Sequence, residues 1–354
     1  MARWAKQSQV LSRYFLACPS TPTGYSSGCP GTPCLSVEVA AEIRCACLCA
    51  TPVVLRQSLT VAPRNLNAYA LDACVRLGVR VAALKKSGAL RFVVSGRTGG
   101  NVHLRTALFR TAVDDESSLG IAKSIVAAKL QNSRRVVDRW ARDEKCADKR
   151  EGLAARSAQI RDRIPRLIDA KTPDQVRGIE GDAARIYFRA LGEVVGSSGL
   201  EFSGRTRRPP RDPVNALLGF CYGLLVTEFI GATESVGLDY QMGFFHRPRS
   251  GRPSLALDLT EELRALTDRF VVTLARRRQL TVDAFDVTPG GAVYLTDDGR
   301  AKLLEAWEGH KETELDHPLL GRSVGRWALP SVQATLLARH LRGDLPSYPP
   351  FVLS

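Results

Sequence analysis

Beyond about residue 110, apolar side chains recur three and four positions apart; before it they alternate only in short runs. AYALDACVRLG predicts a short helix stopped by Gly78. VRVAAL and ALRFVVSG then read as two strands around a KKSG turn, and RTGGNVHLRTALFR as a basic connector. From Asp114 to about Ala141, acidic residues open a long helix whose apolar stripe is Leu119, Ala122, Val126 and Leu130. KREGLAARSAQIRDRI continues as a second helix that breaks at Pro165. A third begins at Thr172-Pro173-Asp174-Gln175: a threonine cap, a proline suited to the first turn, and a glutamine completing a capping box. Asp212-Pro213 opens a fourth helix, apolar through Phe229, which predicts the centre of the core. A helix ending at Arg276 to Arg278, a hairpin turning at Pro289-Gly290-Gly291, and two helices near 297–311 and 330–341 complete the chain.

These patterns predict an α+β fold with a small N-terminal β-rich domain followed by a larger, mostly α-helical domain. Residues 61–110 would be the remainder of the β-rich domain and a linker, and 111–354 the helical domain. Residues 1–60 carry no usable period; CPSTPTGYSSGCPGTPC reads as loop or disorder.

The formal charge of +14 and a pI near 9.6 point to an anionic partner, nucleic acid ahead of a membrane surface. No apolar run approaches the ~20 residues of a membrane span, and no secretory leader is visible, so no membrane partner and a cytoplasmic location are expected. Six of the nine cysteines fall in the first 49 residues. The odd total without a signal peptide argues against a disulfide framework and the C-x-C-x-C spacing against a zinc site, so reduced thiols are the expectation.

Candidate chemistry gathers in FFHRPRSGRPSLALDLTEELRAL. His246 lies in a basic loop, and Asp258 and Glu261, three residues apart, project from one face of the following helix. One imidazole with carboxylates from different elements suits Mg²⁺ or Mn²⁺; the plain alternative is a solvated acidic face paired with Arg264. Glu180, in RGIEGDAARIYF, borders an apolar stripe between Gly178 and Gly181. Two glycines inside a helix cost ~1 kcal/mol each, which a substrate approaching the backbone would explain. A boundary glutamate paired with Arg177 or Arg185 is the alternative. Arg205, Arg207, Arg208 and Arg211 precede the core helix, and Arg247, Arg249 and Arg252 surround His246. Basic clusters on both sides of the acidic residues suggest a groove that tracks phosphates.

RGIEGDAARIYF, RRPPRDPVNALLGFCYGLL and GFFHRPRSGRPSLALDLTEELR, in that order, resemble the stand-alone CRISPR-associated endonuclease that acts as integrase in spacer acquisition. GGAVYLTDDGRAKLLEAW and RHLRGDLPSYPPF extend the resemblance from about Leu66 to the C-terminus. It implies a homodimer that works on DNA with a small second adaptation protein. By position it implies Glu180, His246 and Glu261 as ligands of Mg²⁺ or Mn²⁺, with Asp258 as an adjacent acidic residue supporting catalysis. It also implies that Arg211 and Asn215 shape the DNA pocket, and that a DNA 3′-hydroxyl attacks a phosphodiester without a protein nucleophile. The family opens on short strands that residues 1–60 do not display. A different reading is a non-catalytic DNA-binding scaffold whose acidic cluster is merely salt-bridged.

Overall fold

The computed structural model describes residues 101–353 except 197 and 207, and before them only 53–54, 68–69, 71–72, 81–84 and 90–94. Apart from strand β1 (Val53–Val54), the readings of residues 1–60 lie outside the described residues. β2 (Val81–Leu84) runs parallel to β1 and antiparallel to β3 (Leu90–Val94), the pairing that the KKSG turn predicts. Everything described beyond this three-stranded sheet is mostly helical.

The connector expected before residue 110 is instead a helix, α1 (Val102–Val113). Asn101 caps it by accepting from the Leu104 N–H at 3.0 Å, and Leu104 and Leu108 are fully buried. Two apolar residues one turn apart, with arginines around them, are too short a stripe to read as a helix. α2 (Asp115–Asp143) follows with Asp114 as its cap. Next come α3 (Ala147–Arg161), the single turn α4 (Arg166–Asp169) and α5 (Pro173–Val195). At α5 the expected cap forms, Thr172 accepting from the Gln175 N–H at 3.3 Å. Its return bond lands one residue early: Gln175 accepts from the Lys171 N–H.

α6 (Pro213–Ser235) runs six residues past the predicted end at Phe229. It is the one described helix long and apolar enough to cross a membrane, and most of it is buried inside the fold. α7 (Ser254–Arg276) packs along it, and together they join two apolar clusters. One cluster holds α2, α3, α5, the hairpin of β4 (Phe285–Val287) with β5 (Val293–Leu295), and α8 (Asp297–Glu312). The other holds α1, α9 (Leu329–Leu341) and the C-terminal Tyr348 and Phe351. A second hairpin, β6 (Glu314–His317) with β7 (Arg322–Gly325), was not anticipated. Only His317 and Val324 of its residues are buried, which leaves little alternation to read.

A buried polar clamp fixes how α2 and α7 meet. The Glu262 carboxylate accepts from the Tyr348 hydroxyl (2.5 Å), Gln333 Nε2 (2.7 Å) and the Phe351 N–H (2.7 Å). Asn132 of α2 donates to the carbonyls of Glu262 (2.7 Å) and Phe351 (2.9 Å) and accepts from the Leu353 N–H (2.7 Å). The C-terminal segment is thereby strapped across both helices.

Burial pushes the Glu262 carboxyl from 4.5 up to about 7, against the pull of those three donors and with help from the Asp258 charge. Its folded value lies above its unfolded one, so the protonated form favours the fold. That contribution is complete below pH ~4.5 and is lost as pH rises towards 7, a change of roughly 3 kcal/mol. Urea unfolding at a series of pH values should show this component in the native chain and not in Glu262→Gln. An identical pH slope in both proteins would count against it.

Candidate functional site

One cleft of about 1850 Å³ receives side chains from α2, α5, α6, α7 and the loop before α7. Glu180, His246 and Glu261 all line it. Glu180 arrives from the second turn of α5 and Glu261 from the second turn of α7; His246 comes from the loop at 237–253.

Asp258 shapes that loop. Its Oδ2 accepts from the N–H groups of Phe244 (2.6 Å) and Phe245 (3.0 Å), and its Oδ1 from the His246 N–H (2.8 Å). The same Oδ1 lies 2.7 Å from His246 Nδ1. Asp258 and Glu261, expected on one face of α7, therefore have separate partners: Glu261 lines the cleft, and Asp258 acts on the site through His246. Three backbone donors with no other acceptor draw the Asp258 carboxylate into the loop, where it is fully buried. It holds the imidazole by Nδ1 and leaves Nε2 as the nitrogen able to meet a ligand. Gly243 is required beside it, because a Cβ there would stand 2.8 Å from Asp258 Oδ2 and from two backbone atoms.

Glu180 and Glu261 converge on a residue that the sequence did not single out. The Lys129 ammonium of α2 donates to Glu180 Oε1 and lies 2.5 Å from Glu261 Oε2. Both contacts are charge-assisted, and Glu261 Oε2 meets no other donor among the described residues. Glu261 Oε1 accepts from Arg264 NH1 at 2.8 Å. Burial opposes ionisation of Glu261, but the charges of Arg264, Lys129 and His246 outweigh it and hold the carboxyl well below the usual glutamate value. The Glu261–Arg264 pair anticipated as a solvated face is thus a buried one. The partners considered for Glu180 are engaged elsewhere, Arg177 with Asp174 and Arg185 with Asp182.

Behind this cluster the Arg264 guanidinium stacks 4.2 Å over the Tyr222 ring, and the Tyr222 hydroxyl donates to Asp268 at 2.5 Å. Tyr222 lines the cleft and was also missed. No three His, Cys, Asp or Glu side chains among the described residues come close enough to share a metal ion as they stand. The donors nevertheless suit one. Two carboxylates already share a cation, and an oriented imidazole faces the same cleft.

The arginines divide by function. Arg208, Arg247, Arg249 and Arg252 line the cleft, the first three of them exposed and Arg252 half-buried. Arg207 lies outside the described residues. Arg211 turns away and donates to the Gly290 carbonyl at 2.6 Å, pinning the β4–β5 turn. Asn215 is buried with its amide fully used. Its oxygen accepts from Arg205 and the Thr206 N–H, and its nitrogen donates to the Gly204 carbonyl and Asp212. Both residues hold the segment before α6, whose bends leave backbone groups that need partners, and Asn215 also lines the cleft.

Residues 52–309 match the family described as CRISPR associated protein Cas1. The chain belongs to the Cas1 family. It is 42% identical over 292 residues to a CRISPR-associated endonuclease Cas1 of Rhodospirillum rubrum, covering 79% of this chain and 83% of that protein. Among solved structures, a casposase bound to integration product superposes with a TM-score of 0.69 at 25% identity, covering 79% of this chain and 76% of that one. A chain of a Cas6-RT-Cas1–Cas2 complex shares the fold, with a TM-score of 0.66 at 20% identity over 80% of this chain and 30% of that one. As a Cas1 protein, the chain is a spacer-acquisition protein.

Proposed function

We propose that this Cas1 protein is a metal-dependent DNA endonuclease and integrase that inserts short foreign DNA fragments into a CRISPR array. The observation that carries the reading is the convergence of Glu180 and Glu261 on one cation inside a basic cleft that also presents His246. The endonuclease and casposase relatives support the reaction class.

Glu180, Glu261 and His246 Nε2 would hold the ion, Mg²⁺ or Mn²⁺. When bound, such an ion polarises a phosphate oxygen and stabilises the charge that develops on it. Asp258 keeps the imidazole in one orientation and one tautomer. Arg208, Arg247, Arg249 and Arg252 grip phosphates on either side, and this positioning sets the attacking DNA 3′-hydroxyl, or water in hydrolysis, in line with the scissile bond. Among the described residues no packing accounts for Gly178 and Gly181, since a Cβ at either would meet none of their atoms within 4 Å. Open space beside Glu180 suits a strand lying against α5. The β-rich domain at the N-terminus, with the helical domain beginning at α1 and not near residue 110, homodimerisation and a small second adaptation protein belong to the same proposal; the fold shared with a Cas1–Cas2 complex supports the last.

The salt-bridged carboxylates also suit a DNA-binding scaffold without catalysis. One assay separates the two. Cleavage and joining of branched DNA should require added Mn²⁺ or Mg²⁺, stop with EDTA, and be lost in His246→Ala while DNA binding persists. Binding indifferent to cations, with no product under any of them, would establish the scaffold instead.

A further inference from the structure

We propose that Lys129 is a built-in stand-in cation, which a divalent metal ion must displace from between Glu180 and Glu261. The inference rests on the metal-dependent reading above and adds a competitor inside the site.

The geometry is direct. The Lys129 side chain is 12% exposed, and its ammonium touches one oxygen of each carboxylate. Those carboxylates come from α5 and α7, and Lys129 from α2, so three separate helices meet at one positive charge. Without it, two largely buried like charges would face each other, and a poorly solvated site magnifies that repulsion. Arg264 neutralises only one of them, through Glu261 Oε1, and is itself packed over Tyr222. Lys129 therefore supplies the positive charge that the metal-free fold needs.

It is also built to leave. The α2 backbone is locked one turn away by Asn132, but the ammonium sits at the end of a flexible four-carbon stem. Lys129 lines two spaces: a pocket of only about 20 Å³, room for one water, and the large open cleft. A displaced ammonium therefore moves into the cleft. There it adds its charge to that of the arriving ion, so metal loading raises the positive charge that a DNA phosphate meets.

The test is calorimetric titration of Mn²⁺ into the full-length chain and into Lys129→Met, Lys129→Arg and Glu261→Gln, with thermal melts in the absence of metal. Lys129→Met, close in volume and uncharged, should bind Mn²⁺ about tenfold more tightly or better. It should melt below the native chain without metal and recover when Mn²⁺ is added. Lys129→Arg should bind no more tightly than the native chain, which assigns the effect to charge. Unchanged or weaker affinity in Lys129→Met, with binding still lost in Glu261→Gln, overturns the stand-in cation and leaves the metal site intact. Undiminished Mn²⁺ binding in Glu261→Gln overturns both.

Discussion

Glu261→Gln is expected to lose DNA cleavage and strand joining by about 10³-fold or more, since it removes a charged donor to the ion that stabilises the reacting phosphate. DNA binding should hold or strengthen, because the substitution deletes a negative charge from a cleft lined by arginines. The amide oxygen can still accept from Arg264, while the NH₂ must turn from the Lys129 ammonium, which can swing towards Glu180 and the cleft. Circular dichroism should report a folded protein that melts somewhat earlier. Cleavage gels and filter binding on the same preparation provide the two readouts. Near-native joining by Glu261→Gln would remove this residue from the chemistry.

Asp258→Asn is the second large effect, and it acts through geometry. The native carboxylate uses one oxygen for the N–H groups of Phe244 and Phe245 and the other for the His246 N–H and ring. An asparagine offers one acceptor oxygen and an NH₂ group. Whichever way it turns, two donors of the loop face another donor, at a cost of roughly 2–3 kcal/mol. If the NH₂ faces His246, the imidazole also loses the acceptor that fixes its tautomer. Activity should fall by about a hundredfold, with the melting temperature several degrees lower. If stability falls but the rate per folded molecule does not, Asp258 would be confined to a purely structural role.

Much of the helical part was legible because its signals are local. Thr172-Pro173 and Asp212-Pro213 each place a capping oxygen and a helix-compatible proline at a start, and both helices begin there. α6 reads as core because nearly every position is apolar, although its last turns, with Thr227, Glu228 and Thr233, hid the true end at Ser235. β6 and β7 were hidden because their residues are mostly exposed.

The site was only partly legible, for a different reason. Glu180, His246 and Glu261 could be singled out by residue type and context, but their electrostatic partner comes from α2, 51 residues before Glu180. A local signal for it existed. Lys129 has Ile125 and Val126 before it and Asn132 and Ser133 after it at helical spacing, and all four are buried. A lysine there must either carry its charge out to solvent or find a buried acid. Spacing alone also could not separate the roles of Asp258 and Glu261. That division depends on three backbone N–H groups of a loop that only the fold brings to Asp258.

The central claim is that one divalent ion sits among Glu180, His246 and Glu261. Anomalous diffraction from crystals of the full-length chain grown with Mn²⁺ tests it most directly. The account predicts a peak roughly 2.0–2.3 Å from oxygens of both glutamates and from the imidazole nitrogen opposite Asp258, with the Lys129 ammonium moved into the cleft. A peak elsewhere, or no peak with Lys129 still bridging the two carboxylates, would contradict it.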